Sequence, residues 1–382
     1  MKKKILIVGL SPFYPVLNGS MKVVYEYCKL LKELGNDVYY CNSYHAKYDD
    51  AFCDFMEGKV FSPEMKEETF VSRRVNKLKR RFIDHHKYKT GFNFLDDLFP
   101  NGLGEYVAKL NTEYHFDVCI VNYIIISKLL DYIDCPRKVI FTHDAFTNKH
   151  ELLNLNTFWF SLTPDEEAKG IRRATDILSI QNNESVLYHY YNPLARIYTV
   201  YSPFPVTRQE MSGNNNILFI SGNNQLNQNG IDYFLQRIFP IIVERNSEVK
   251  LIVGGKICDY LRGKKNTKNI ELLGIIDDES SFYSYGDIAI NPIYQGTGLK
   301  VKTFEALSFG KVTVAHPHSV DGIFEPSNAP ILVGHTEEEF ARQILMALDD
   351  VGLRKQISDK AIRYMQNMNN YIRMEYERLL DF

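Results

Sequence analysis

Short apolar, β-branched runs, each followed by a turn-rich loop and an amphipathic helical pattern, recur along most of this chain, and that alternation leaves few folds open. The first unit is KILIVGL, then SPFYPVLNGS, then MKVVYEYCKLLKELG, with apolar residues at 23, 24, 27, 30, 31 and 34 and a stop at Gly35. Further strand patterns are DVYYCNS, FDVCIVN at 116–122, RKVIFTH at 137–143 and DILSIQN at 176–182, the last after a helix that starts at Pro164-Asp165-Glu166-Glu167. Strands that read as continuous apolar runs belong to parallel sheets covered by helices on both faces, with ligands at the carboxyl ends of the strands. Between Tyr198 and Asn216 the texture changes to Pro, Gly and an Asn run, which marks a linker. A second alternating set follows: NILFISG, a helix from about Gly230 to Arg245, EVKLIVGG, NIELLGI, DIAINP and KVTVAHP. At 382 residues the chain exceeds what one core organises. The expectation is an α/β protein of two Rossmann-like, doubly wound domains facing a cleft, residues 1–203 and 214–361.

Composition excludes several classes. A net charge of −2, 45% hydrophobic and 24% charged residues describe an ordinary globular chain and argue against nucleic acid as a partner. MKKKILIVGL has three lysines before an apolar run, but Ser11 and Pro12 break that run too early for a secretion signal, so it reads as a first strand. No window approaches 18 apolar residues, which places the expected location in the cytoplasm or on its membrane face. The six cysteines form no Cys-x-x-Cys pair and do not cluster with histidine, so free thiols are expected.

The chemistry concentrates in NPIYQGTGLKVKTFEALSFGKVTVA, Asn291 to Ala315. Gly296 and Gly298 let backbone approach a ligand, and the helix behind them turns its free N–H groups and positive dipole end to the same spot. Lys300 and Lys302 add full charges, which makes a seat for phosphate. Glu305 is an acceptor suited to a pair of sugar hydroxyls; an exposed pair with Lys302 at i+3 is the plainer reading. Phosphate beside sugar hydroxyls means a nucleotide.

This segment resembles the donor-binding signature of the family-4 glycosyltransferases, retaining enzymes of the GT-B fold, in the form G-[ST]-G-x-x-x-K-x-x-E-A-[LM]-x-x-G-[KR]-x-x-V. The matching residues are Gly296, Thr297, Gly298, Lys302, Glu305, Ala306, Leu307, Gly310, Lys311 and Val314. The similarity extends over roughly residues 214 to 325 and more weakly over the first domain. It implies that the second domain binds a nucleotide-sugar donor and the first an acceptor. It also implies that a last helix, from about Ser358 to Asp381, packs its part from about 362 to 382 back on the first domain.

The resemblance implies roles residue by residue. Glu305 would receive the ribose hydroxyls, Lys302 and Lys300 would neutralise the diphosphate, and the Gly296 to Leu299 turn would hold the sugar through its N–H groups. Thr297 stands where many relatives carry a second Glu. Gly222 and Asn223 follow the first strand of the donor domain, where relatives place Arg and Lys; Asn223, Asn227 and Asn229 offer only neutral hydrogen bonds there. Gly274 lies in the segment that carries the nucleobase edge. In the first domain Asn18, Gly19 and Ser20 take the place of a Gly-rich turn, with Ser20 as an N-cap the plainer reading. His143 matches a histidine directed at the sugar's outer hydroxyls, with Asp144 as its orienting partner and a structural histidine as the rival.

The implied activity is metal-independent transfer of a hexose-type sugar from a UDP- or GDP-sugar substrate to a hydroxyl of a glycan, glycolipid or glycoprotein, with no cofactor. The chain has no Asp-x-Asp, the mark of metal-clamped transferases. A nucleotide-sugar epimerase of the same fold and an inactive sugar-nucleotide-binding relative are the alternatives. The segment Ser72 to Thr90, with eight Lys or Arg and one acid, fits an anionic membrane surface or a solvated basic helix.

Overall fold

The computed structural model describes residues 2–16, 19–64, 81–153, 160–264 and 268–382. They form two units: residues 1–202 with Ile372–Phe382, and Pro203–Tyr371.

The first unit holds a seven-stranded sheet in the order β3-β2-β1-β4-β5-β6-β7, all neighbours parallel. The strands are β1 (Lys4–Gly9), β2 (Asp37–Asn42), β3 (Val60–Phe61), β4 (Val118–Asn122), β5 (Arg137–Phe141), β6 (Asp176–Ser179) and β7 (Arg196–Thr199). β4 and β6 are buried at every residue, as a parallel sheet covered on both faces requires. The helix Gly19–Glu33 buries Val23, Val24, Tyr27, Cys28, Leu30 and Leu31, a stripe at three- and four-residue spacing that follows from its sequence. All six cysteines are free thiols.

The second unit holds a six-stranded parallel sheet in the order β10-β9-β8-β11-β12-β13. Its strands are β8 (Asn216–Ile220), β9 (Lys250–Gly254), β10 (Ile270–Gly274), β11 (Ile288–Asn291), β12 (Val312–Ala315) and β13 (Ile331–Val333). Ile217, Phe219, Leu251, Val253, Ile288, Ile290, Val312 and Val314 form one core with the helices on that face.

Several expectations are corrected. The Asn-rich stretch after β8, read as a loop with a helix from Gly230, is helical from Gln225: Asn224 Oδ1 accepts the Asn227 N–H and caps a helix Gln225–Tyr233, which continues through a π turn, Phe234–Ile238, to Phe239–Arg245. β7 lies partly inside the stretch assigned to the linker, and the boundary between units falls at Ser202/Pro203. The last helix is longer than expected, Val351–Leu380, and Ile372, Tyr376 and Leu379 of its final turns are fully buried. Those turns belong to the first unit, where Arg378 donates to the Ile197 carbonyl and Arg137 to that of Asp381. Residues 72–80 of the basic segment 72–90 lie outside the described residues; residues 81–90 are helical, with Phe82 and Tyr88 exposed.

Candidate functional site

In the second unit the strand order reverses between β8 and β11, which lie side by side and parallel. Loops leaving the carboxyl ends of two such strands diverge to opposite sides, and the gap between them is where open α/β sheets bind ligands. β8 leads into Gly222, Asn223 and the Gln225 helix; β11 leads into Gly296, Thr297, Gly298, Leu299, Lys300 and the helix Val301–Ser308, which carries Lys302 and Glu305. The fold therefore gathers nearly every site residue expected in this half of the chain at one end of one sheet. Gly274 closes β10, two strands from β8.

The turn needs its glycines: Gly296 has φ 139° and Gly298 φ 73°, backbone that other residues adopt only under strain. Beneath it Asn291 Nδ2 donates to Thr303 Oγ1 (2.9 Å), Thr303 Oγ1 to the Ser319 carbonyl (3.1 Å) and Ser319 Oγ to the Ile293 carbonyl (2.7 Å). These bonds tie the entry of the loop to the helix behind it. Lys300 is the N-cap and supplies no side-chain bond to the helix start; its carbonyl takes the Thr303 N–H (3.0 Å), and the Val301 and Lys302 N–H groups open the helix toward the turn.

Lys302 Nζ donates to Asn227 Oδ1 at 2.9 Å, across from one side of the strand reversal to the other. Asn227 Nδ2 donates in turn to the Gly222 carbonyl (2.9 Å). Burial pulls the Lys302 ammonium down to about 8, with the Glu305 carboxylate opposing and the Lys300 charge assisting. Asn223 and Asn229 are engaged differently, accepting from Gln228 and Gln225 (2.8 Å each). Asn227 thus joins the site, and the signal for it was present: Asn224 three residues ahead is a helix cap.

Glu305 is 7% exposed, which excludes the exposed i+3 pair with Lys302. It lies beside Tyr283, whose ring stacks on Phe309 at 4.5 Å. Burial, and after it the Glu305 charge, pushes the Tyr283 hydroxyl well above its ordinary value. His318, which no sequence signal singled out, stands after β12 with Nδ1 3.3 Å from Asp321 Oδ2. Its buried Nε2 faces Gly296, 3.9 Å from where a Cβ on that residue would sit. Burial and the Lys300 charge lower its pKa.

The other lysine of the signature has a different place. Lys311 precedes β12, at the opposite end of the sheet, and is buried; burial brings its pKa to about 8 against the opposing Asp287 charge. Asp287 accepts from Ser212 N (2.7 Å), Ser212 Oγ (3.0 Å) and Gly213 N (3.0 Å), with Arg354 Nε at 3.6 Å. These groups fasten the linker to the second sheet.

In the first unit the strand order reverses between β1 and β4. Asn18 lies outside the described residues. Gly19 and Ser20 open the helix Gly19–Glu33, so Ser20 is a first-turn residue and not its N-cap; its side chain bonds the Tyr123 hydroxyl. Tyr123 and His143, both at positive φ (70° and 58°), stack at 4.4 Å. His143 Nε2 lies 2.7 Å from Asn122 Oδ1, which also accepts from Tyr27 (2.9 Å), while Asn122 Nδ2 donates to the Val8 carbonyl (3.2 Å). The bond to Val8 fixes the amide, so the histidine must donate from Nε2 and carries a lone pair on Nδ1. Burial lowers its pKa to about 3, and the ring is neutral. Asp144 is paired with Lys149 and not with His143.

With this geometry in view, the likeness to known proteins has a place to attach. Residues 214–350 match the family model of glycosyl transferases group 1. That glycosyl transferase match spans most of the second unit, including the strand reversal and the Gly296 turn. A curated protein of Klebsiella pneumoniae, described as an uncharacterized 44.6 kDa protein in the cps region, is 21% identical over 384 residues, covering 95% of each chain. Among solved structures, sucrose-phosphate synthase from Thermosynechococcus elongatus superposes with a TM-score of 0.66 at 12% identity over 99% of this chain and 98% of that one. A TarM variant of S. aureus, in complex with fondaparinux, alpha-GlcNAc-glycerol and UDP, gives 0.68 at 10% identity over 100% of both chains. HepE from Anabaena, in complex with UDP-glucose, gives 0.61 at 15% over 100% of both. The architecture is the GT-B fold, and the family match supports glycosyl transfer.

Proposed function

We propose that the protein is a retaining glycosyltransferase that moves a hexose from a UDP- or GDP-sugar to a hydroxyl of a glycan, glycolipid or glycoprotein acceptor. One observation carries this reading: the two-glycine turn at the strand reversal of the second unit, with the Lys302 ammonium held beside it. The donor's diphosphate takes N–H groups of the turn and helix start together with Lys300 and Lys302. Glu305 accepts the ribose hydroxyls, the Thr297 to Leu299 backbone meets the sugar, and Gly222, Asn223 and Gly274 border the nucleoside. In the first unit His143 receives a sugar hydroxyl on Nδ1, and Asn18, Gly19 and Ser20 are assigned to the acceptor or the leaving phosphate.

In the reaction the bond from the anomeric carbon to the diphosphate oxygen breaks, and the acceptor oxygen bonds to that carbon from the same face. The acceptor's proton passes to the departing diphosphate. Rate comes from positioning and from positive charge where negative charge develops, with neither a side-chain nucleophile nor a metal ion. The bound UDP and UDP-glucose of structures with this fold favour a uridine donor, and the relative from a cps region favours a role in surface polysaccharide synthesis. A peripheral contact of segment 72–90 with anionic membrane belongs to the same reading, and sedimentation with anionic vesicles checks it.

A panel of UDP-, GDP- and dTDP-sugars, with and without glycan acceptors and EDTA, tests the reading by nucleotide release. Release that requires acceptor, persists in EDTA and yields a product of unchanged anomeric configuration is the expected result. A new sugar nucleotide formed without acceptor would make the protein an epimerase, and no release from any donor would overturn enzymatic transfer.

A further inference from the structure

Lys302 Nζ donates to the oxygen of a neutral amide, Asn227, and not to a carboxylate. Two charged groups act on it, Glu305 on its own helix and Lys300 on the loop before it, and among the described residues the neighbouring helix meets it with the neutral Asn227. Asn227 is held on both sides. Its N–H is bound by the Asn224 cap (2.9 Å) and its Nδ2 by the Gly222 carbonyl (2.9 Å), which leaves Oδ1 facing the lysine. An amide oxygen orients an ammonium without neutralising it, whereas a carboxylate in the same position would form an ion pair and consume the charge.

We propose that Asn227 is a positioning residue that aims the Lys302 ammonium at the diphosphate of the donor while leaving its full charge for that anion. The inference rests on the nucleotide-sugar reading above and adds the reason why an Asn, in a position flanked by other amides, is the residue that faces the lysine. Burial lowers the Lys302 pKa, and the Glu305 charge offsets that only in part.

The sign of the pH dependence follows. The free protein loses the Lys302 charge above about pH 8, and a bound diphosphate favours the charged form, so affinity for UDP is level from about pH 7 to that pH and falls above it. Titration calorimetry with UDP tests the proposal on the wild type, Asn227→Asp and Asn227→Ala, each checked for an unchanged melting temperature. The Asp variant is expected to bind UDP at least tenfold more weakly near neutral pH and to begin its alkaline decline at higher pH. The Ala variant, which keeps the free charge, is expected to lose less than about fivefold. Equal losses in both, or an Asp variant that binds like the wild type, would overturn the role of Asn227 and leave the nucleotide reading standing. A wild type that binds no UDP, GDP or dTDP would overturn both. Should the Asp variant fail to fold, the Ala variant decides: a roughly two- to fivefold loss of UDP affinity sustains the proposal, and affinity equal to the wild type refutes it.

Discussion

Glu305 and Lys302 stand three residues apart on one helix: the lysine donates to a neighbouring helix while the Glu305 charge still acts on it, and the carboxylate is buried beside Tyr283. In the proposed complex the Glu305 carboxylate accepts the ribose hydroxyls, charge-assisted bonds that its removal would cost. Glu305→Ala is therefore expected to weaken UDP binding by about 1 to 3 kcal/mol, read as the change in dissociation constant. An unchanged constant would remove the ribose from this position. His143 makes a prediction of a different kind. Its folded pKa of about 3 lies below its unfolded value, so the unfolded chain takes up the proton first. Stability is intact above about pH 6.5 and falls as the pH drops toward 3, by about 1.4 kcal/mol per unit, or about 2 kcal/mol between pH 7 and pH 5. Denaturant titrations of wild type and His143→Gln at the two pH values check this; the Gln variant should lose less on acidification.

At the scale of elements, the two halves of the candidate site meet because the Gln225 helix packs closely on the loop after β11. A Cβ on Gly230 would come within 2.4 Å of Ile293 Cδ1 and 3.2 Å of its Cα. Gly230→Ala should push the helix outward, cost about 1 to 3 kcal/mol of stability and lengthen the Lys302 to Asn227 bond. Weaker UDP binding beyond what the lost stability explains is the expected signature, and unaltered binding would show that the two elements need not touch. The same helix marks where sequence reading stopped. The glycine turn, Lys302, Glu305 and the long central strands were legible because apolar runs and fixed glycine spacings are local signals. The start of the Gln225 helix was not, since a run of amides has low helix propensity and reads as loop until the Asn224 cap is weighed. β3, β7 and β13 went unread because edge strands of two to four residues need no apolar run. His318 was invisible because it joins the site through the fold alone.

At the scale of the whole molecule, the chain enters the second unit at Pro203 and returns to the first at Ile372, so the first unit is completed by residues far along the chain from the rest of it. Tyr376 is fully buried there, stacked at 6.2 Å on Tyr27, which itself bonds Asn122 beside His143. Tyr376→Ala should cost about 3 to 5 kcal/mol, and thermal unfolding that shows no such loss would mean that the final turns contribute little to that unit. The division of labour within the signature reaches further. Gly310 and Lys311 serve the foundation beneath the second sheet, at the end away from the candidate site, whereas Lys302 serves the site. A diverged copy that kept the former pair and exchanged Lys302 for leucine would still fold and still resemble its kin on paper, yet offer an anion no reception. Counting conserved letters in such a protein measures its masonry; only the lysine that faces an amide tells whether the house is occupied.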